Sequence, residues 1–172
     1  MIRNLQLIIA FLLVSKLVTA QPPCTPLGDQ NSFGTGNVWI GYVYDNMNFT
    51  NYRGFVNQGT AGSPNFDYNF GSANGNLNTN GCNVDRTTFS VRFKLRRTFT
   101  NGGYRIVVGG DDGYRFSLDG GATWVINNFT DHAYQTTTYD VVVNGSYDLV
   151  IEYYENGGDN WVSFNVSSIC MG

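Results

Sequence analysis

The chain has 172 residues, of which 13% are charged, with ten Lys and Arg against thirteen Asp and Glu and a net charge of −3. A sparse, net-acidic charge set argues against nucleic acid and anionic membrane as partners, because phosphate binding needs clustered cations. The length suits about one domain with a sizeable buried core.

Residues 1–20 carry a positive start at Arg3, an unbroken apolar run from Leu7 to Val14, and small residues at Val18-Thr19-Ala20. This is the three-part pattern of a secretory signal peptide, with cleavage before Gln21. The run is too short to span a bilayer and Lys16 interrupts its far side, so no transmembrane segment is expected. The expectation is a secreted or cell-surface product, with residues 21–172 as a single domain. Its eight Lys and Arg against thirteen Asp and Glu leave a net charge of −5.

Val38 to Tyr44 is the first strand candidate. Gly59 to Gly81 is rich in Gly, Asn and Ser, contains Pro64, and reads as a long surface loop returning to the sheet at Thr88. Phe89, Val91, Phe93 and Leu95 then alternate with Ser90, Arg92, Lys94 and Arg96, the period of a strand with one wet face. The basic residues there read as that solvated face. Strand candidates follow at Tyr104–Val108, Tyr114–Leu118, Tyr147–Tyr153 and Val162–Val166. Asn101-Gly102 and Asn144-Gly145 read as hairpin turns, and Asp119-Gly120-Gly121 and Asn156-Gly157-Gly158 as turns of the same kind. No stretch keeps a helical period, so the fold class is all-β, an antiparallel sandwich or a barrel.

Export permits a disulfide among Cys24, Cys82 and Cys170. Cys82 with Cys170 is the first expectation and Cys24 with Cys170 the second. There is no Cys-x-x-Cys and no Cys/His cluster to support zinc or redox chemistry. Cys24-Thr25-Pro26-Leu27-Gly28 and the final Cys170-Met171-Gly172 are loosely similar, as the first unit of a tandem array would be, or by coincidence.

Two loops carry the chemistry. Gly109-Gly110-Asp111-Asp112-Gly113 and Glu155-Asn156-Gly157-Gly158-Asp159-Asn160 each follow a strand. Loops at one end of a sandwich converge, and these would together offer carboxylates, an amide oxygen and backbone carbonyls, the hard oxygen set that calcium takes. The alternative is a pair of Asp/Asn-Gly turns that only cap strands.

These residues resemble the protective-antigen (PA-fourteen) domain, over roughly Val38 to Val166. The resemblance rests on Gly109-Gly-Asp-Asp-Gly-Tyr-Arg-Phe-Ser-Leu-Asp119, on Trp124-Val-Ile-Asn127, and on Gly145-Ser-Tyr-Asp-Leu-Val-Ile-Glu-Tyr-Tyr-Glu-Asn156. It implies a jelly-roll-like sandwich of two antiparallel sheets with long loops at one end. It also implies calcium held by Asp111 and Asp112 across a cis peptide, with Asn156, Gly157, Gly158 and Asp159 completing the site. Sugar hydroxyls would then replace calcium waters. Trp124, His132, Asn160 and Trp161, with Phe129 and Tyr134, are the candidates to contact sugar, and the two tryptophans are equally candidates for core.

Catalysis is poorly supported. His132 is the only histidine, no Gly-x-Ser-x-Gly elbow is present, and Glu152 and Glu155 only imitate a carboxylate pair. The expected function is a calcium-dependent carbohydrate-binding, lectin-like module of an adhesin. The alternatives are a metal-free structural or protein-interaction module and an accessory domain of a glycoside hydrolase. Asn48, Asn128, Asn144 and Asn165 stand in Asn-x-Ser/Thr sequons, which matter if the host glycosylates them.

Overall fold

A computed structural model describes residues 24–170, so the proposed signal peptide lies outside the described residues. The strands in chain order are β1 (Trp39–Tyr44), β2 (Tyr52–Gln58), β3 (Phe66–Ser72), β4 (Asn76–Leu77), β5 (Asn80–Gly81), β6 (Val84–Asp85), β7 (Phe89–Asp111), β8 (Tyr114–Ser117), β9 (Ile126–Asn128), β10 (Gln135–Glu155) and β11 (Asp159–Ile169). The named strands pair antiparallel throughout, and the described residues contain no α-helix. None has a helix long and apolar enough to cross a membrane.

The architecture rests on one long ribbon. β7 and β10 pair from Gln135–Gly110 to Glu155–Phe89. The first half of β7 also pairs with β1, and its second half with β11. One layer is therefore β5-β2-β1-β7-β10-β8-β9, and the other is β3-β11-β7-β10. The ribbon passes between them where Val143 opposes Gly102 and Gly145 opposes Phe99. There Asn144 faces both Thr100 and Asn101, a bulge of two residues against one, and Gly145 takes φ 95°. Asn101-Gly102 and Asn144-Gly145 thus form a corner inside two continuous strands, and the expected hairpin turns are corrected. A bulge and a two-residue turn ask for the same small, positive-φ residues, so the dipeptides do not separate them.

The expected long loop is also corrected. β3 lies within Gly59–Gly81 and pairs with β11 at the edge of the second layer. Its Phe66, Tyr68 and Phe70 alternate with Asp67, Asn69 and Gly71, and the polar half of that alternation faces solvent.

The core is the interface between the layers. Trp39 of β1 meets Phe164 of β11 at 4.9 Å between ring centroids, and Phe93 of β7 meets Phe66 of β3 at 5.3 Å. Trp39 is fully buried, and its indole N–H donates to the Pro64 carbonyl at 2.8 Å, so no polar atom is stranded by its burial. The disulfide joins Cys24 to Cys82, and Cys170 is free and exposed. Both expected pairings, Cys82 with Cys170 and Cys24 with Cys170, are corrected. Cys82 lies next to β5, which pairs with β2 at the edge of the first layer, whereas Cys170 follows the last strand of the second. Which cysteines meet is a matter of layer and edge, which spacing does not encode.

Candidate functional site at the loop end of the sandwich

Two chain crossings between the layers lie side by side. β7 leaves the second layer at Asp111, and β8 begins in the first at Tyr114. β10 leaves the first layer at Glu155, and β11 begins in the second at Asp159. The backbones are stitched together: the Tyr154 amide donates to the Gly113 carbonyl at 2.9 Å, and the Asn156 amide to Asp112 Oδ2 at 2.8 Å. Gly157 and Gly158, at φ 103° and 119°, make the tight return into β11. The Asp111–Asp112 peptide bond is cis.

Asp111, Asp112 and Glu155 each bring a carboxylate oxygen within 4.8 Å of the other two. Two oxygens on opposite sides of one calcium ion lie about that far apart, at roughly 2.4 Å from the metal. Asp112 Oδ1 accepts the His132 amide at 3.0 Å, and Asp111 Oδ2 accepts the Tyr134 amide at 3.2 Å. The segment after β9 thus holds both aspartates from the far side. Asp131 anchors it by accepting the Tyr154 hydroxyl at 2.7 Å and the Asn156 side-chain amide at 2.8 Å. These bonds pull the Asp131 carboxyl below its usual range.

Glu155 opens the second candidate loop but is not among the expected metal ligands. It is fully buried, and its Oε1 has no hydrogen-bond partner. The Tyr153 hydroxyl lies 2.9 Å from its Oε2 and 2.6 Å from the Asp111 carbonyl. Burial, with the negative charge of Asp112 and Asp111 adding, pushes Glu155 up to about 8. Burial and the neighbouring Asp112 also raise Asp111. Glu152 is the instructive contrast. It is equally buried, but each of its oxygens is bound by a guanidinium, Arg92 on one and Arg115 on the other. Among the described residues no cation forms an ion pair with Asp111, Asp112 or Glu155. Three carboxylates without a counter-charge, one with an orphaned buried oxygen, fit a bound divalent cation. The signal for Glu155 was its phase, since it continues the inward-facing Ile151 and Tyr153.

The expected sugar contacts separate into two places. Trp161 pairs in register with Asp111, and its ring lies 5.6 Å from that of Tyr134, so this aromatic pair borders the carboxylates. Trp161 donates its indole N–H to Asp67, which fixes the ring. Asp159 is exposed and close enough to Asp111 to add to its upward shift. The His132 ring stands edge-on to Tyr114 at 5.6 Å. Asn160 is fully buried: its amide donates to the carbonyls of Arg86 and Gly158, and its Oδ1 has no partner. Trp124 lies elsewhere, in the turn beyond β8, where Arg115 stacks over its ring at 4.2 Å. Phe129 takes the same guanidinium at 4.4 Å and packs edge-on against Tyr154.

No family model matches the sequence, and no curated protein matches it. Solved structures do resemble the fold. An anti-sigma factor domain-containing protein from Clostridium clariflavum matches at TM-score 0.57 and 20% identity, over 76% of this chain and 41% of that one. This chain therefore spans about two fifths of that protein's length. The PA14 domain of the MpAFP antifreeze protein matches at TM-score 0.51 and 14% identity, over 87% of this chain and 88% of that one. The epithelial adhesin 9 A domain from Candida glabrata, solved in complex with Galβ1-4GlcNAc, matches at TM-score 0.51 and 10% identity, over 85% of this chain and 86% of that one. With the ribbon corner, the two-layer strand order and the paired loop crossings, these likenesses establish that the chain has a PA14-type β-sandwich fold.

Proposed function

We propose that the chain is a calcium-dependent carbohydrate-binding module of a secreted or cell-surface adhesin. The observation that carries the reading is the Asp111, Asp112 and Glu155 cluster, buried in part, unpaired with any cation among the described residues, and spaced to surround one ion. Bound calcium would supply open coordination positions for vicinal sugar hydroxyls. The protein's part is to hold the carboxylates in place through the His132, Tyr134 and Asn156 amides, with Gly157, Gly158 and Asp159 beside them. Trp161 and Tyr134 offer apolar ring faces next to the cluster. The adhesin domain solved with Galβ1-4GlcNAc supports the same ligand class.

Calorimetry of the oxidised domain with calcium, followed by a glycan array with calcium and with chelator, tests this. Calcium binding and chelator-sensitive glycan binding are expected, both lost in Asp112→Ala. No calcium binding at millimolar ion, or unchanged binding in Asp112→Ala, overturns it.

One observation favours a metal-free structural module instead. A single Tyr153 proton cannot serve both the Asp111 carbonyl and Glu155, but a protonated Glu155 can donate to the Tyr153 hydroxyl. With Glu155 raised to about 8, that arrangement holds near neutral pH without an ion. The same titration separates the two readings.

A further inference from the structure

The outer face of the β3-β11-β7-β10 layer carries a groove of about 410 Å³, and Tyr134, which lines its head, donates its amide to Asp111 of the carboxylate cluster. Register arranges the groove, and the strip between it and the cluster, in rungs across the strands. Asp111, Trp161 and Asn69 form the first rung, nearest the cluster. Thr136, Gly109, Ser163 and Asp67 form the second. Thr138, Val107 and Asn165 form the third. Rungs are two residues apart along the strands, so the strip from Asp111 through the groove to Asn165 covers about 14 Å, the length of a short oligosaccharide rather than of one ring.

Gly109 makes room for Tyr134 at the middle rung. A Cβ there would meet Ser163 Oγ at 2.8 Å, the Tyr134 hydroxyl at 2.8 Å and Thr136 Cγ2 at 2.9 Å. With only hydrogen at that position, Tyr134 lies over the sheet and its hydroxyl reaches Ser163 at 2.9 Å. Tyr134 lines the head of the groove with the Trp161 ring beside it, and Val107 supplies apolar surface further along. Among the described residues the side chains of Thr136 and Asn165 make no hydrogen bond within the protein, which leaves a hydroxyl and an amide available to a ligand. The lining contains no Lys or Arg, and Asp67 lies in it.

We infer that this groove is an extended subsite for a neutral, linear oligosaccharide whose first sugar sits at the carboxylate cluster. The inference rests on the carbohydrate-binding reading above and adds ligand length and charge to it. Aromatic faces at one end, hydroxyl and amide groups along the length, and the absence of cations match a chain of uncharged sugar rings. An acidic polysaccharide meets Asp67 in a lining with no Lys or Arg to offset its charge.

The test is calorimetry at saturating calcium with two ladders, galactose to oligomers of Galβ1-4GlcNAc, and glucose to cello-oligosaccharides of up to five units. In one ladder, affinity is expected to rise about tenfold or more from monosaccharide to tetrasaccharide. The substitutions Thr136→Trp and Asn165→Trp, both at exposed sites that fill the groove, are expected to remove that rise and leave calcium affinity unchanged. Calcium-dependent monosaccharide binding with no gain along either ladder overturns the groove alone. So does an equal gain with oligogalacturonate. Absence of any calcium-dependent binding to either ladder overturns this inference together with the reading it extends.

Discussion

Replacing Glu155 with Gln tests the electrostatics of the site most directly. Glu155 has an ordinary value of 4.5 when the chain is unfolded and about 8 in the ion-free fold. The fold therefore holds this proton more tightly than the unfolded chain does. Its stabilising contribution is complete below about pH 4.5 and is lost as pH rises toward 8. Each unit of the window is worth about 1.4 kcal/mol, and partial relaxation of the buried site brings the total to the order of 2–4 kcal/mol. For a domain of this size that corresponds to a fall in melting temperature of roughly 5–12 °C. Gln is neutral at every pH and nearly the same shape, so Glu155→Gln flattens the slope. Calcium acts in the opposite direction, since it needs the carboxylate and stabilises most where Glu155 has lost its proton. The assay is a thermal melt of both proteins from pH 5 to 8.5, in chelator and in calcium. A wild-type melting temperature that is flat in chelator, or a variant with the wild-type slope, refutes the reasoning.

Two further outcomes concern the scaffold. Phe164 is buried against Trp39, Phe66 and Phe116, so Phe164→Ala is expected to cost about 3–5 kcal/mol in chemical denaturation; a cost under about 1 kcal/mol would deny it a central place in the core. Cys82→Ser opens a crosslink between residues 58 apart and is expected to cost about 2–4 kcal/mol. Maleimide labelling of the folded, oxidised protein should modify Cys170 and leave Cys24 and Cys82 unmodified, and a protein labelled at Cys24 or Cys82 contradicts this pairing.

Periodicity carried most of the first layer and much of the core. Phe89–Arg96 and Tyr147–Tyr153 alternate as strands do, while Val38–Tyr44 is a short, nearly continuous apolar run, and all three correspond to strands. β3 escaped because its outward residues are Asp, Asn and Gly, which also build loops. The Asp111-Asp112 turn and the Asn156 loop were legible as candidates, and the structure brings them within one hydrogen bond of each other. Glu155 was legible only through its strand phase. Trp124 and Trp161 looked alike as rim aromatics, and only the strand register separates them, placing Trp161 beside Asp111 and Trp124 beyond the far end of β8.

What the sequence alone determined is therefore local: strand periods, turn residues, and two loops rich in oxygen donors. These follow from which face of a strand meets water and which backbone angles a turn requires, both set within a few residues. The tertiary structure decided what depends on distant partners. It fixed the passage of one ribbon through two layers, the Cys24–Cys82 pairing, the gathering of Glu155 with Asp111 and Asp112, and the alignment of Gly109 between Thr136 and Ser163. Each of these is a meeting of residues tens of positions apart, settled by the packing of the whole core rather than by any segment of the chain.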